Sequence, residues 1–167
     1  MGRKSAFWAT AAILLAAALS HAQFVSSAAQ SHPGISTNPV QYLFPEQVTL
    51  PAGKVSPVTL HFRIAPGMHV NSHTPSDEFL IPTVLSLPEG TGVKLAATNY
   101  PPGTNITLPA DPKTKLNVYT GDFNIDVRLV ASAGDHLVQA RLRYQACNDQ
   151  QCLPPKTITV PVDVIGK

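Results

Sequence analysis

The sequence predicts an all-β fold, an immunoglobulin-like β-sandwich of about seven to nine strands. Several segments alternate apolar and polar residues with a period of two, which is typical of strands with one buried face. The 167 residues include 16 prolines and 10 glycines, and turn-forming residues recur between the alternating segments. No capped segment of ten or more residues has the 3.6-residue period of a helix, so we expect two packed sheets rather than an α/β fold.

The N-terminal segment predicts export. A positively charged start is followed by an apolar run over residues 6–19 and by the small-x-small pattern of a cleavage site at residues 20–22. We therefore expect a cleaved signal peptide over residues 1–22, and the alternative is an uncleaved N-terminal anchor. The apolar run is shorter than the roughly 20 residues that a membrane-spanning helix needs. No cysteine directly follows it, so we expect no lipid anchor.

The rest of the chain is predicted to hold one folded domain. Residues 23–39 are rich in Ser, Ala, Gln and Gly without periodicity, which predicts a flexible leader. Residues 40–167 are predicted to form the β-sandwich domain, because a segment of this size can bury its own core. Charged residues make up 13% of the chain and the formal net charge is +2. Since there is no basic block, nucleic acid and acidic membrane surfaces are not expected partners.

Four segments give the clearest strand predictions, because apolar residues take every second position in each of them. They are residues 58–64, 123–129, 138–144 and 158–164. Weaker candidates are residues 41–44, 48–50, 83–87 and 93–97. We expect these segments to supply the two faces of the sandwich core.

The connections carry three further expectations. Ala133-Gly134-Asp135 separates two of the clearest strands, which predicts the turn of a hairpin. Pro161 lacks the N–H that a sheet ladder needs, so its strand is expected at a sheet edge or with a bulge. Residues 99–115 are rich in Pro, Gly and Thr, which predicts a long loop.

The two cysteines of the chain, Cys147 and Cys152, lie between two of the clearest strands. In an exported protein such a pair can hold a disulfide, and a hairpin end lets two Cα atoms approach within the roughly 7 Å that a bridge needs. Chain entropy gives so short a loop only about 2 kcal/mol of stabilisation, while a strand end gives a partner thiolate access to the sulfurs. These residues leave a redox-active bridge, a structural bridge, and unpaired thiols or metal ligands as open readings.

Charges and histidines near the cysteines refine this picture. Asp149 disfavours a nearby thiolate and so raises the pKa of a neighbouring thiol. We therefore expect a pair that reacts slowly with small reagents and becomes reactive in a docked complex. His61, His69, His73 and Met68 suggest a metal carrier as a third class of function, but on a strand or loop the spacing of the histidines does not place their rings on one face. No metal site and no cofactor are therefore predicted.

Several segments carry a family resemblance. They are Tyr144-Gln145-Ala146-Cys147, Cys152-Leu153-Pro154-Pro155-Lys156-Thr157, Thr159-Val160-Pro161, Gly67-Met68-His69-Val70-Asn71, Leu80-Ile81-Pro82-Thr83 and Leu87-Pro88-Glu89-Gly90. Together they resemble the N-terminal periplasmic domain of DsbD, the thiol:disulfide interchange protein family. The resemblance spans about residues 40–164.

The resemblance implies a periplasmic module that receives electrons from a membrane-embedded thiol reductase and passes them to oxidised periplasmic proteins. It also implies that Cys152 forms the mixed disulfide with the partner and that Cys147 resolves it, so these two residues are the expected catalytic pair. The alternative is a non-catalytic envelope interaction or structural domain whose disulfide only stabilises a loop. A reduction potential below about −300 mV would indicate this structural alternative.

The chain departs from the family pattern around the expected site. Four residues separate its cysteines, whereas the best-known family members have five. In the family, a cap loop with two acidic residues and an aromatic residue shields the sulfurs. The corresponding stretch here contains Tyr100 but no acidic residue. His69 and Asn71 replace aromatic residues that line the site in the family. These three residues, with Tyr144 and Asp149, are the predicted lining of the site. The chain shows neither the transmembrane nor the thioredoxin-like domain of the full family proteins, so we expect another protein to supply the electrons.

Overall fold

The computed structural model describes residues 38–43 and 47–167. The predicted signal peptide and all but the last two residues of the predicted leader lie outside the described residues. The described part of the chain consists of β-strands and connections without a helix, so the predicted all-β fold is confirmed. Within these two ranges, no helix is long and apolar enough to cross a membrane.

Twelve strands occur among the described residues. They are β1 Val40–Tyr42, β2 Gln47–Leu50, β3 Val55–Ile64, β4 His69–Asn71, β5 Val84–Ser86, β6 Val93–Asn99, β7 Thr104–Leu108, β8 Asp111–Tyr119, β9 Asp122–Ala131, β10 Gly134–Tyr144, β11 Ala146–Cys147 and β12 Lys156–Gly166. Eight of them correspond to strands predicted from the sequence. The other four, β4, β7, β8 and β11, raise the count above the expected seven to nine.

The strands form three four-stranded sheets. Sheet A has the order β1-β3-β9-β6, sheet B the order β2-β12-β10-β5, and sheet C the order β11-β4-β8-β7. The long strands of sheets A and B bury alternate residues, and these side chains join in one hydrophobic core cluster. Phe62 is fully buried there and stacks on Phe123, with ring centroids 5.2 Å apart. Two sheets that share a core through alternating residues make a β-sandwich.

Two predictions about the connections are wrong. Ala133-Gly134-Asp135 does not close a hairpin, because β9 belongs to sheet A and β10 to sheet B, so the chain crosses between sheets there. Residues 99–115 are not a long loop, because β7 pairs antiparallel with β8 within this segment. Both strands are largely exposed in this region. They therefore lack the buried alternation by which a strand is recognised in a sequence.

Pro161 lies in a part of β12 that is paired on one side only. β10 pairs with β12 along its whole length, and Pro161 is opposite Gln139. On the other side, β2 covers only Asp163–Gly166. β12 is therefore not an edge strand as predicted, because it lies between β2 and β10 and its pairing with β10 has no bulge. Pro161 nevertheless lies on the part of the strand that β2 leaves uncovered, and a proline is tolerated where its missing N–H faces such an open edge.

The β10–β12 hairpin carries the cysteine segment at one end. The two strands pair as far as Tyr144 and Lys156, and the connection between these residues contains both cysteines. The beginning of the described chain lies at the same end, since Lys156 Nζ donates a hydrogen bond to Asn38 Oδ1 at 2.9 Å. Lys167 follows the far end of β12. The hairpin therefore separates the cysteine segment from the last residue by its full length.

Candidate redox site at the cysteine hairpin

Cys147 and Cys152 form a disulfide in the connection between β10 and β12. The S–S distance is 2.04 Å and the Cα atoms are 4.0 Å apart. The two residues also pair as an isolated antiparallel bridge. Of the three readings left open by the sequence, the structure therefore favours the two in which the cysteines are bonded to each other.

The two cysteines differ strongly in exposure. Cys147 lies on β11 and is only 3% exposed, whereas Cys152 is exposed to solvent. Thiol–disulfide exchange needs a thiolate to reach one sulfur of the bridge. A partner can therefore approach the Cys152 side of the bridge, while the Cys147 side stays covered.

A compact turn holds the residues between the cysteines. The Asn148 N–H donates to the Gln151 carbonyl oxygen at 2.9 Å. The Asn148 Oδ1 accepts the backbone N–H groups of Gln150 and Gln151 at 2.9 and 2.8 Å. Asparagine commonly bonds to backbone groups just after it and so favours turns. The role of Asn148 was not predicted, although an Asn-Asp pair between two strands is a signal for it.

Gln145 ties the two sides of the cysteine loop together. Its Nε2 donates to the Leu153 carbonyl oxygen at 3.2 Å, and the Leu153 N–H donates to the Ala146 carbonyl oxygen at 2.8 Å. The Gln145 carbonyl oxygen accepts the Asn71 N–H at 3.4 Å. Gln145 thus links the loop to β4. No local sequence pattern indicates this role, because the contacts of Gln145 depend on pairing between distant segments.

His69 lies directly opposite Cys147 in the pairing of β4 with β11. Residues in such opposite positions have Cβ atoms roughly 5 Å apart on the same face of the sheet. His69 is 4% exposed, and its Nε2 is buried without a hydrogen-bond partner in the described part of the chain. Burial lowers the pKa of His69, and the negative charge of Asp149 partly opposes this effect. Two predicted site residues, His69 and Asp149, are thus close to the cysteine pair.

A tight turn determines where β4 begins and so where His69 lies. The Met68 N–H donates to the Ala65 carbonyl oxygen at 3.1 Å. Pro66 and Gly67 occupy the two central positions, and Gly67 has a φ of 74°. Proline followed by a residue with positive φ is the signature of a type II turn, which favours glycine at the second position.

A surface groove of about 530 Å³ borders His69 and Asp149. Ile106 contributes an apolar part of its lining. Arg63 and Asp122 also line it and form an ion pair, with Nε and Oδ1 2.7 Å apart. The groove therefore gives the buried histidine a recess that opens to solvent beside the cysteine loop.

Asn71 and Tyr144, two further predicted lining residues, are buried. Asn71 is 1% exposed, and its Nδ2 donates to the Ile81 carbonyl oxygen at 3.1 Å. Tyr144 is also 1% exposed, and burial raises the pKa of its hydroxyl, with a smaller opposing effect from the Val40 backbone. That hydroxyl nevertheless makes no well-aligned hydrogen bond with the described residues. The role of both side chains in lining the site stays a prediction.

Tyr100 lies against the segment that follows β4. Its hydroxyl oxygen accepts the Leu85 N–H at 2.8 Å, and its ring stacks on His73 with centroids 3.7 Å apart. Burial raises the pKa of Tyr100. The hydrogen bond and the ring contact are both made with residues outside the cysteine loop, so the role of Tyr100 in lining the site stays a prediction.

Two of the three histidines considered for a metal site, His61 and His73, have other partners. His61 Nδ1 is 2.9 Å from Asn124 Oδ1, and His73 Nδ1 is 3.0 Å from the Thr83 carbonyl oxygen. Across residues 38–43 and 47–167, no group of three or more His, Cys, Asp or Glu side chains is placed to hold a metal ion. His61 thus pairs with a neighbouring side chain, and His73 contacts a backbone carbonyl group.

The family model for the N-terminal part of thiol:disulfide interchange protein DsbD matches residues 39–164. The chain belongs to the DsbD N-terminal family. The match includes both cysteines and every predicted site residue, so the resemblance inferred from the cysteine segment is confirmed.

Two solved structures are similar to this member of the DsbD N-terminal family. The reduced DsbD N-terminal domain of Neisseria meningitidis is 18% identical, with 69% of this chain and 82% of that chain covered and a TM-score of 0.47. The N-terminal periplasmic domain of ScsB from Proteus mirabilis is 12% identical, with a TM-score of 0.50. That comparison covers 69% of this chain but only 43% of the ScsB chain. No curated protein sequence matches the chain.

Proposed function

We propose that this chain is a periplasmic thiol–disulfide exchange module that works through Cys147 and Cys152. The observation that carries the proposal is the unequal exposure of the bridge, with Cys152 exposed and Cys147 only 3% exposed. A bridge that only stabilises a loop needs no accessible sulfur, whereas exchange needs one sulfur open to a partner. Membership of the DsbD N-terminal family supports the same activity and the periplasmic location.

The proposed reaction transfers two electrons in two exchange steps. In the dithiol form, the Cys152 thiolate attacks a partner disulfide, forms a mixed disulfide and releases one partner thiolate. The Cys147 thiolate then attacks Cys152 Sγ, which closes the internal bridge and releases the second partner thiolate. The partner takes up two protons and becomes a dithiol. A membrane-embedded thiol reductase regenerates the module by the same steps in reverse, and oxidised periplasmic proteins are the proposed acceptors.

The geometry of the hairpin favours the second step. The Cα atoms of the two cysteines are 4.0 Å apart in the bridge, and the turn at Asn148 is held by three hydrogen bonds. Since the turn is held independently of the bridge, we expect Cys147 to stay beside Cys152 after reduction. A nucleophile held in place reacts as though it were at a very high concentration. The mixed disulfide should therefore be resolved rapidly.

The first test is the redox equilibrium of the purified protein. The wild type is brought to equilibrium with glutathione buffers of graded ratio, and free thiols are counted by alkylation and mass spectrometry. We expect the bridge to be reduced within the range of these buffers, at a potential above about −300 mV. A bridge that stays intact in the most reducing buffer is structural and would overturn the proposal.

The second test asks which cysteine meets the partner. A Cys147→Ala variant lacks the resolving thiol, so disulfide-linked partners should accumulate on Cys152 in an envelope extract. The matched control, Cys152→Ala, retains only the covered thiol and should accumulate far fewer adducts. Equal trapping by both variants would contradict the proposed roles of the two sulfurs.

A further inference from the structure

His69 is a buried titratable residue placed next to the bridge without a defined partner. It lies opposite Cys147 in the β4–β11 pairing, is 4% exposed, and has a buried Nε2 that accepts or donates no hydrogen bond among the described residues. A buried polar atom left without a partner costs free energy. The disulfide form carries this cost, because a bridged sulfur has no proton to share.

We propose that His69 is the proton acceptor and proton donor for Cys147 and that its Nε2 accepts a hydrogen bond from the Cys147 thiol in the dithiol form. The inference rests on the proposed exchange function and adds a role for His69 within it. Reduction of the bridge creates the S–H group that the imidazole lacks in the oxidised protein. His69 therefore stabilises the dithiol form relative to the disulfide form.

The proton moves with each exchange step. When a partner thiolate attacks Cys152 Sγ, the S–S bond breaks and its electron pair stays on Cys147 Sγ. A thiolate is costly at a buried position. The protonated His69 passes its Nε2 proton to that sulfur and stays neutral, so that its Nε2 then accepts the hydrogen bond of the new Cys147 thiol. In the opposite direction, Nε2 accepts the proton of the Cys147 thiol as its sulfur attacks Cys152 in the mixed disulfide.

The groups around His69 fit this role. Asp149, on the cysteine loop, favours the protonated imidazole, while burial disfavours it. Arg63 and Asp122 line the groove as an ion pair, and Tyr119 lies on β8, the strand on the other side of β4. The groove that borders His69 opens to solvent. It provides the route by which the imidazole can exchange its proton with water.

The proposal predicts a pH-dependent redox equilibrium. The exchange of the bridge with glutathione has the same number of thiol protons on both sides. Its equilibrium constant is therefore independent of pH below pH 8, unless another group of the protein changes its pKa between the two redox forms. A neutral His69 can accept the hydrogen bond of the Cys147 thiol, but a protonated His69 cannot. The dithiol form therefore holds the pKa of His69 lower than the disulfide form does. Acidification should shift the wild type towards the disulfide.

Three variants test the role of His69. His69→Phe fills the space without a polar atom, and His69→Gln can hydrogen-bond but does not titrate. His136→Gln is the matched control, because His136 lies near the other end of β10, where its Nε2 is 3.0 Å from the Ser132 carbonyl oxygen. Each protein is equilibrated with glutathione between pH 5 and pH 8, and its thiols are counted by alkylation.

Wild type and His136→Gln should both move towards the disulfide as the pH falls from 7 to 5. His69→Phe should favour the disulfide about tenfold more than the wild type at pH 7, which is about 30 mV for a two-electron couple. Both His69 variants should show no pH response. A His69→Gln protein that keeps the wild-type pH response would overturn the proposal. This variant tests the proposal even if His69→Phe does not fold. A wild-type bridge that glutathione cannot reduce would instead refute the exchange function itself.

Discussion

Alkylation of single-cysteine variants should separate the two sulfurs by a large factor. Cys147→Ala leaves only the exposed Cys152, and Cys152→Ala leaves only Cys147, which is 3% exposed. We expect iodoacetamide to react about 100-fold faster with Cys152 than with Cys147 in the folded protein, after correction for the intrinsic reactivity of each thiol. The difference arises because the covered sulfur must wait for local opening of the hairpin.

The size of this factor follows from the contacts that must break. Opening the covered side separates Ala146 and Cys147 from β4. It breaks three hydrogen bonds, which join Gln145 Nε2 to the Leu153 carbonyl, the Leu153 N–H to the Ala146 carbonyl, and the Asn71 N–H to the Gln145 carbonyl. Hydrogen bonds contribute about 1 kcal/mol each to stability, so opening costs about 3 kcal/mol. Each 1.4 kcal/mol lowers the open population tenfold. The reactive fraction of Cys147 is therefore lowered by about two orders of magnitude.

The assay compares each variant with its own unfolded form. Rate constants are measured by mass spectrometry at one pH, first in buffer and then in concentrated guanidinium chloride. The ratio of the two rates gives the protection of each thiol in the fold. Similar protection for Cys147 and Cys152 would refute the reasoning from exposure and, with it, the assignment of Cys152 as the sulfur that meets the partner.

Reduction of the Cys147–Cys152 bridge should lower the free energy of unfolding by about 2 kcal/mol, because so short a loop restricts the unfolded chain only modestly. Urea unfolding with and without reductant measures this, and a loss above about 4 kcal/mol would be too large for the mechanism. A hydrogen bond and the charge of Arg63 hold the pKa of Asp122 below its ordinary 3.8. The stability that this pair adds is thus present above pH 3.8 and is lost as the pH falls through the lower folded pKa. Asp122→Asn should be less stable than the wild type at pH 7, and the difference should vanish in strong acid. A difference of unchanged size there would contradict the assignment.

The sequence predicted the strands that bury one face in the sandwich core. In β3, β9, β10 and β12 the alternation is complete enough to identify a strand without further information. β7 and most of β8 have no fully buried residue, so their sequences lack the clear alternation that distinguishes a strand from a loop. The crossing from β9 to β10 was mistaken for a hairpin turn because a short connection can join strands of the same sheet or of different sheets.

The two cysteines of the candidate site could be predicted from the sequence, but the arrangement of the residues around them could be predicted only in part. The cysteine pair is visible in composition and spacing, the comparison with the family indicated His69, and the acidic residue between the cysteines indicated Asp149. The pairing of His69 with Cys147 depends on two strands of three and two residues. Strands so short show no periodicity, and all of their residues are buried. The position of His69 beside the bridge therefore follows from long-range pairing that no local pattern contains.

The positions of Asn38 and Lys167, the first and last residues that the structure describes, guide the attachment of probes to this protein. β12 runs for 11 residues from Lys156 to Gly166, so its first and last Cα atoms are about 33 Å apart at a rise of about 3.3 Å for each step between residues. A fluorophore or a surface linker joined after Lys167 would therefore stand well away from the disulfide. The same linker joined before Asn38 would stand beside it, because Asn38 contacts Lys156. Immobilisation through a linker placed after Lys167 thus leaves the exposed Cys152 free for binding measurements.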